Sequence, residues 1–491
     1  MHTDRKCTRQ DLIRIAFEAM SERGLAPDFS PAVQLELAAL SGAAHDAGPD
    51  VADLRALLWC SIDNDDSLDL DQLTFCEPRP SGAVRIRVAI ADVDALVARG
   101  SAIDAHACIN TTSVYTSARV FPMLPERLST DLTSLNFNQD RLALVSEMVV
   151  DADGTISEPN VRRALVRNRA KLAYDEVSAW IVGQGELPAA ARAVPGMDAQ
   201  LRMQDATAQR LRAHRHAQGS LEFETFQPRA VFDGDQVVDL RQQVQNRARQ
   251  LIEELMIATN TCTAHFLAER GGASIRRVVR SPERWLSIVE LAHKYGESLP
   301  KTPDSRALER FLARRHQADP LRFPDLSLVV VKLMGSGEYV VERPGAAPIG
   351  HFGLAERDYT HSTAPNRRFP DLITLRMMKA LLAGTAPPYS LHELEELALH
   401  CTQQEDAARK VERRMRKSEA ALFLAPQVGH AFNGLVTGHG DAGSWVRIFS
   451  PPAEGMLVGR LPPLHVGQQI RVKLTATNVE RGFIDFVVLP S

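Results

Sequence analysis

Apolar positions near the start of the chain recur at the spacing of a helix. This spacing predicts a helix over residues 8–23. Its apolar stripe consists of Leu12, Ile13, Ile15, Ala16 and Met20. A second short helix is predicted in FSPAVQLELAALSG, because Ser30 is a favoured N-cap and Pro31 suits the first helical position. Two short helices joined by a turn resemble a helix-turn-helix, and both a nucleic-acid contact and simple packing remain open for this segment.

From about residue 50 the alternation changes to the period of a strand. LLWCSID, LTFCE and AVRIRVAIADV are predicted strands, and the last alternates Val84, Ile86, Val88 and Ile90. Between about 160 and 425 the pattern is mixed and mostly helical, with long amphipathic helices predicted at 198–218, at 245–270 and from 403 to about 424. Five short alternating segments between about 428 and 490 are typical of an OB-type barrel.

The predicted fold class is therefore α+β with several domains. A small helical, helix-turn-helix-like domain is expected over 1–48, a central mixed α/β domain over 49–425, and a C-terminal OB-fold β-barrel over 426–491. A chain of 491 residues has ample material for more than one core.

Composition and charge narrow the classes of function. The chain is 44% apolar and 24% charged, and its formal net charge is −4, so any nucleic-acid binding must come from a local basic channel. No apolar run approaches the roughly 18–20 residues of a membrane span. The charged start MHTDRKCTRQDLIRIAF lacks the apolar region of a signal peptide. Six scattered cysteines without a CxxC pair favour reduced thiols and a cytoplasmic location.

An acidic run stands between two predicted strands in SIDNDDSLDLDQLTFCE, residues 61–77. Five aspartates fall within the nine positions 63–71. An EF-hand calcium loop is disfavoured, because Leu68 stands where that loop needs Gly and Thr74 stands where it needs Glu. A solvated loop explains the charge but leaves the alternation of Asp and Leu in LDLDQL unexplained.

That alternation predicts two faces in the acidic run. In an extended segment Asp69 and Asp71 share one face, while Leu68, Leu70 and Leu73 point largely away and anchor the chain. Neighbouring carboxylates raise each other's pKa, and a hard divalent cation such as Mg²⁺ or Mn²⁺ removes that penalty. Such a site suits phosphoryl chemistry. From these residues alone, a metal-dependent phosphodiesterase and a structural loop stay equally open.

The segments around this run resemble the catalytic domain of the ribonuclease II / ribonuclease R family. AIADV, TSVYTSARVFPMLP and LSTDLTSL follow SID and DLDQ in the order of the family's motifs. RAKLAYDEV, LEFETFQ, LIEELMIATN and HFGLAERDYTHSTAPNRRFPDL match further along the chain. The C-terminal strands are similar to the S-one-type OB domain that ends these enzymes. The resemblance covers roughly residues 50–490, so the central domain is expected to be an RNB catalytic domain.

The resemblance implies a processive 3′→5′ exoribonuclease that hydrolyses single-stranded RNA to nucleoside 5′-monophosphates, with Mg²⁺ or Mn²⁺ as the metal. The aspartates that match the family's metal ligands are Asp63, Asp66, Asp69 and Asp71. Asp71 is expected to act most directly on the metal and the attacking water. Arg367 matches the arginine near the scissile phosphate, where a guanidinium stabilises developing charge. Arg368 is the alternative, and either can be an ordinary phosphate clamp.

The resemblance also implies the residues that contact RNA. Tyr115 matches the tyrosine that holds the 3′-terminal nucleotide, and Phe223 matches an aromatic that stacks on the bases, although Phe223 can equally be a core residue. Tyr174 and Glu254, or its neighbour Glu253, match positions that read the ribose, whose 2′-hydroxyl separates RNA from DNA. The expected partner is the 3′ end of single-stranded RNA, with DNA unproductive, no membrane, and a monomeric protein.

Two departures from the family pattern affect these expectations. Gln72 stands where the family places a further aspartate, which puts the affinity for a second metal in doubt. A catalytically impaired RNA-binding protein on the same fold is therefore the alternative function. The first fifty or so residues are predicted helices, where the best-known members carry cold-shock domains. A more open RNA entry is expected to change the stall points on hairpins with short and long 3′ overhangs.

Overall fold

The computed structural model describes residues 8–45, 48, 50–224, 228–242, 245–440 and 443–490. The helices are α1 Arg9–Ser21, α2 Pro31–Ala39, α3 Ala102–Asn110, α4 Tyr174–Ile181, α5 Ala189–Arg192, α6 Met197–Gln218, α7 Arg247–Glu269, α8 Trp285–Lys294, α9 Ser305–Ala318, α10 Phe323–Met334, α11 Phe369–Ala383 and α12 Leu391–Leu424. The strands are β1 Val51–Asp53, β2 Cys60–Asp63, β3 Gln72–Pro78, β4 Val84–Ala91, β5 Val114–Tyr115, β6 Val120–Phe121, β7 Asp140–Val150, β8 Ile156–Arg167, β9 Ala170–Ala173, β10 Pro228–Asp233, β11 Gln236–Gln242, β12 Ser274–Val278, β13 Glu338–Glu342, β14 Ala431–Gly440, β15 Gly443–Ile448, β16 Ala453–Leu457, β17 Gln469–Asn478 and β18 Phe483–Val488.

A seven-stranded sheet in the order β1-β8-β7-β4-β3-β2-β9 forms the centre of the molecule. The outer pairs β1–β8 and β2–β9 are parallel, and the pairs between them are antiparallel. The predicted alternation in β4 is confirmed, since its branched residues share one core with α6 and α7: Val84, Ile86, Val88 and Ile90. Leu73 and Phe75 of β3 face the other core, beneath α11 and the first half of α12.

Both N-terminal helices form where they were predicted, but they pack on different partners. Thr8 N–H donates to the Asp11 carboxylate at 2.8 Å and so caps α1. The apolar stripe of α1 lies against α12 and the β5–β6 hairpin, with only Ile13 partly exposed. α2 starts at Pro31 after its Ser30 N-cap and packs on α3. A separate helical domain over 1–48 stays a prediction, because α1 shares its core with central elements.

The C-terminal strands close into a barrel in the order β14-β15-β16-β18-β17, which confirms the predicted OB-type barrel. The end of α12 contributes Ala420, Ala421 and Leu424 to the barrel core. Arg447 of β15 binds Asp325 of α10 at 2.8 Å. The barrel therefore packs on the helical part of the central region through both apolar and charged contacts.

The central region contains more regular structure than the sequence pattern indicated. α12 begins at Leu391, twelve residues before the predicted start, because Ser390 and Glu393 form a capping box there. The strand pairs β10–β11 and β12–β13 were not predicted. No helix in the described ranges is both long enough and apolar enough to cross a membrane.

Candidate active site

The acidic loop, residues 64–71, joins β2 to β3. Leu70 is buried, as the Asp–Leu alternation predicts, whereas Leu68 is 60% exposed. The expectation that Leu68 anchors the loop is wrong, because strand geometry begins only at Gln72 and strict alternation does not extend back to residue 68. The Ser134 hydroxyl instead fixes the end of the loop that contains Leu68 and Leu70. It accepts a hydrogen bond from Leu70 N–H at 3.0 Å and donates to the Leu68 carbonyl at 2.7 Å.

Asp71, at the end of this loop, is the most enclosed of its aspartates and is 1% exposed. Its Oδ1 accepts a hydrogen bond from Asn366 N–H at 3.1 Å. Its Oδ2 has no hydrogen-bond partner among the described residues, although Arg367 Nε lies 3.4 Å away. Burial raises the pKa of Asp71 to about 7, while the charge of Arg367 opposes the rise and the charge of Asp69 adds to it.

The other aspartates of the acidic run are less enclosed. Burial is the main cause that raises the pKa of Asp69, and Asp63 and Asp66 add to it. Asp63 Oδ1 accepts hydrogen bonds from Asn64 N–H at 2.7 Å and from the Ser67 hydroxyl at 2.9 Å. Asp66 is exposed. Within the part of the chain that the structure describes, no three Asp, Glu, His or Cys side chains are gathered closely enough to hold a metal ion. The four-aspartate metal site therefore stays a prediction.

Tyr115 lies on the Arg367 side of the site. Burial raises the pKa of its hydroxyl, and the positive charge of the nearby Arg367 guanidinium opposes that rise. Tyr115 N–H donates to Glu412 Oε1 of α12 at 3.0 Å. The backbone of Arg367 is tied to the same hairpin, since Ser113 N–H donates to its carbonyl at 3.0 Å. The structure thus brings Tyr115, Arg367 and Asp71 together.

The two neighbouring arginines differ in their surroundings. The Arg367 side chain is 47% exposed, so its guanidinium has a surface that a ligand can reach. Arg368 instead donates to Asp371 Oδ1 at 2.7 Å, and the Asp371 side chain is fully buried. Arg367 is therefore the better candidate to bind a phosphate, because Arg368 already pairs with Asp371 inside the protein.

Tyr174 stands at the start of α4, near the opposite end of the acidic loop. Burial raises the pKa of its hydroxyl and nearby Asp63 adds to the rise. The guanidinium of Arg249 lies over the Tyr174 ring, 4.4 Å from its centroid. Arg249 Nη2 also donates to Asn64 Oδ1 at 2.8 Å. Arg249 therefore links the predicted ribose contact to the acidic loop.

Glu254 and Phe223 are more enclosed by contacts within the protein than their predicted RNA-binding roles suggest. Glu254 is 3% exposed and accepts two hydrogen bonds from Arg215, at 2.6 and 2.9 Å. Its neighbour Glu253 is exposed on α7. Phe223 is partly buried against the helical core built by α8, α9 and α10. The contacts of Arg215 occupy Glu254, so of the two glutamates Glu253 is the one open to a ligand.

Gln72 lies on the far side of the strand from Asp71. It is 6% exposed and pairs with Ile90 of β4. In β3 it shares a face with Thr74, whose hydroxyl donates to Gln204 of α6 at 2.8 Å. Replacement of an aspartate at position 72 therefore leaves the contact between Asp71 and Arg367 in place.

Comparison with known protein families decides the membership of this chain. The RNB domain matches residues 51–384, and the RNase II-type exonuclease C-terminal S1 domain matches residues 430–489. The first match alone spans more than half of the chain. The chain belongs to the RNB family. The predicted resemblance is thereby confirmed, and with it the expected catalytic-domain fold and terminal S1 barrel.

Proteins named Ribonuclease R are similar to this RNB chain over most of its length. It is 30% identical to Ribonuclease R of Vibrio cholerae over 476 residues. The matched region covers 88% of this chain and 56% of that protein. Ribonuclease R of Escherichia coli is also 30% identical over 476 residues, covering 89% of this chain and 57% of that protein. The RNB chain therefore spans a little more than half the length of these relatives.

Solved structures share the RNB fold at lower identity. RNase R of Mycoplasma genitalium, in complex with ribose methylated single-stranded RNA, superposes with a TM-score of 0.88 at 23% identity, covering 98% of this chain and 78% of that one. Yeast Ssd1, a pseudonuclease, gives a TM-score of 0.69 at 15% identity, covering 91% of this chain and 55% of that one. The RNB fold alone therefore does not decide activity, which depends on the individual residues of the site.

Sequence reasoning did not single out three residues of this RNB site. Asn366 supplies the backbone donor to Asp71, Ser134 holds the acidic loop, and Arg249 joins it to α7. Asn366 and Ser134 lie inside the quoted motifs APNRRF and LSTDLTSL, so their proximity to the site could have been predicted. Arg249 carries no such signal, because one arginine on a polar helix face looks like any solvated charge.

Proposed function

We propose that this chain is a processive 3′→5′ exoribonuclease that hydrolyses single-stranded RNA to nucleoside 5′-monophosphates. The observation that carries the proposal is Asp71, a buried carboxylate whose Oδ2 no described residue hydrogen-bonds, beside Asp69 and 3.4 Å from Arg367. A buried, ionised carboxylate opposes folding unless a counter-charge joins it. The names of the similar ribonucleases R and the RNA-bound RNase R structure support RNA as the substrate.

The residues present fit a divalent cation. Asp69 adds a second carboxylate beside Asp71, and carboxylates are the hard oxygen donors that Mg²⁺ and Mn²⁺ prefer. Asp69 and Asp71 would hold the ion, and Asp63 and Asp66 would complete its surroundings as the loop adjusts. When bound, such an ion supplies positive charge that makes a water more acidic and stabilises a phosphate.

The chain's own residues bind and orient the RNA end. Hydrolysis joins a water oxygen to the phosphorus and breaks the bond to the 3′ oxygen of the preceding nucleotide, which leaves a nucleoside 5′-monophosphate and a new 3′-hydroxyl. Asp71 orients the attacking water. Arg367 binds the phosphate oxygens and stabilises the charge that builds on them. Since the Arg367 guanidinium lies close to Tyr115, the groups that bind the phosphate and the terminal nucleotide are neighbours.

The exposure of the remaining candidate side chains determines which of them can contact RNA. Tyr174, held by Arg249, offers its hydroxyl to the ribose, and Glu253 is the better candidate for a second ribose contact because Arg215 occupies Glu254. Phe223 stacks on bases only if its ring can leave the helical core. We also propose that the protein acts as a cytoplasmic monomer and does not use DNA productively.

A catalytically impaired RNA-binding protein is not favoured. That alternative depends on Gln72, which shares a strand face with Thr74 rather than with Asp71. Asp71, Arg367 and Tyr115 stay together on the other side. We therefore expect hydrolysis to be intact with glutamine in place of an aspartate at position 72.

The proposal is tested with 5′-labelled single-stranded RNA, with and without Mg²⁺. We expect shortening from the 3′ end, nucleoside 5′-monophosphates by chromatography, inhibition by EDTA and recovery with added Mg²⁺ or Mn²⁺. A DNA oligonucleotide of the same sequence is the substrate control, and light scattering measures the mass of the protein. RNA that stays intact, or nucleoside 3′-monophosphates as products, would contradict the proposal.

A further inference from the structure

The β5–β6 hairpin carries Tyr115, and its turn is held by several elements at once. Thr116 and Arg119 close the turn, with Thr116 N–H donating to the Arg119 carbonyl at 3.2 Å. Between them stand Ser117 and Ala118, only two and three residues after Tyr115. Because the hairpin strands are two residues each, the position of Tyr115 depends on how this turn is anchored.

Glu419 of α12 is the main polar anchor of the turn. Its Oε1 accepts a hydrogen bond from Ser117 N–H at 3.0 Å, and its Oε2 accepts one from the Ser117 hydroxyl at 2.8 Å. The Ser117 hydroxyl in turn accepts from Ala230 N–H of β10 at 3.2 Å. Glu419 is 1% exposed, so a carboxylate has been buried at this junction of α12, the hairpin and β10.

The N-terminal helix anchors the same turn from another side. Arg9 Nε donates to the Ala118 carbonyl at 2.9 Å. The Arg119 guanidinium lies over the rings of both Phe17 and Phe121, about 5 Å from each centroid. Phe17 and Phe121 also meet edge to face at 5.3 Å. The helix that resembled part of a helix-turn-helix therefore packs against the hairpin that carries Tyr115.

We propose that Glu419 is a positioning residue for the RNA 3′ end, which it serves by fixing the turn that follows Tyr115. The inference rests on the proposed exoribonuclease function. Packing alone does not need a charged group here, since burying a carboxylate is unfavourable unless its hydrogen bonds are made. Both carboxylate oxygens of Glu419 accept hydrogen bonds from Ser117, and Glu412 accepts one from Tyr115 N–H of the same hairpin. α1 supports this arrangement from behind.

The test compares Glu419→Gln and Ser117→Ala with the matched control Glu395→Gln, which changes an exposed glutamate of the same helix. We expect both hairpin variants to raise KM for single-stranded RNA about tenfold, which corresponds to about 1.4 kcal/mol, while the control is unchanged. With 2-aminopurine as the 3′-terminal base, the fluorescence change on binding should shrink in both variants. Unchanged KM and fluorescence in folded Glu419→Gln and Ser117→Ala would overturn the inference.

A double-mutant cycle with Tyr115→Ala separates positioning from general stability. If Glu419 acts through Tyr115, the double variant should have the KM of Tyr115→Ala alone. Multiplied effects, together with a lowered melting temperature, would show a purely structural role and overturn the inference. Failure of the proposed function is distinguishable, because the unmodified protein would then release no nucleoside 5′-monophosphate from RNA.

Discussion

Replacing Asp71 by Asn should stabilise the metal-free protein while it abolishes cleavage. The Asp71 carboxyl is 1% exposed, and its pKa is about 7 instead of the ordinary 3.8. Each pKa unit is worth about 1.4 kcal/mol, so the ionised carboxylate lowers the free energy of unfolding by about 4 kcal/mol above pH 7. Asn can still accept the hydrogen bond from Asn366 N–H, but its amide group would face Arg367, so we expect about half of that gain.

The assay is thermal unfolding in EDTA at pH 5 and pH 8. If all 491 residues unfold together, the unfolding entropy is about 1 kcal/mol per kelvin, so a gain of about 2 kcal/mol raises the midpoint by about 2 °C at pH 8. Between pH 4 and pH 7 the folded protein retains a proton on Asp71 that the unfolded chain has released. Stability therefore falls as pH rises through this window, and the advantage of Asn should shrink towards pH 4.

Activity and RNA binding complete the measurement. Asp71→Asn should bind single-stranded RNA and release no nucleotides. Two results would refute the reasoning. If the variant is less stable than the unmodified protein at pH 8, the folded protein already compensates the charge of the buried carboxylate. If the variant still cleaves RNA, Asp71 has no part in the reaction.

Other side chains allow the same separation of function from structure. Arg367→Lys should lower kcat about a hundredfold, with the melting temperature within about 1 °C, because a single ammonium cannot replace a bidentate guanidinium. Arg368→Lys should instead lower the melting temperature by about 3 °C, since it disturbs a buried ion pair; equal kinetic effects of the two changes would contradict this division. Phe223→Ala should lower stability by about 1–3 kcal/mol in urea unfolding because it opens the helical core, and a change in RNA affinity alone would show that the ring serves the RNA. Glu254→Gln should reduce stability by about 3 kcal/mol because it leaves a buried arginine half paired, whereas Glu253→Gln should keep stability and reduce the preference for RNA over DNA in competition assays.

Ordered motifs made the RNB fold and the terminal barrel predictable. The alternation in β4, the apolar stripe of α1 and the N-cap of α2 are local signals, and the structure follows them. Leu68 shows the limit of such reasoning, because alternation applies only where the chain is a strand, and β3 starts at Gln72.

Contacts between distant segments were beyond the sequence pattern. Glu254 looked like any helix carboxylate until the structure placed Arg215 against it, 39 positions away in the chain. The distinction between Arg367 and Arg368 likewise depends on Asp371, whose buried position follows from how α11 packs. Residue types predicted the chemistry of the site, whereas the folded neighbours decide which of those residues are open to a ligand.

The hydrogen bonds of the Ser134 hydroxyl predict two parts of the acidic loop with different dynamics. Because it bonds both Leu70 N–H and the Leu68 carbonyl, the Leu70 amide should exchange its hydrogen with solvent slowly, when this part of the sheet opens. The amides nearer Asp66, which is exposed, should exchange quickly. We therefore expect an arriving cation to order only the part of the loop around Asp66, so that the conformational entropy lost on binding stays small. Replacing Ser134 by Ala should abolish this difference in exchange rate. The whole loop should then lose conformational entropy when a cation binds.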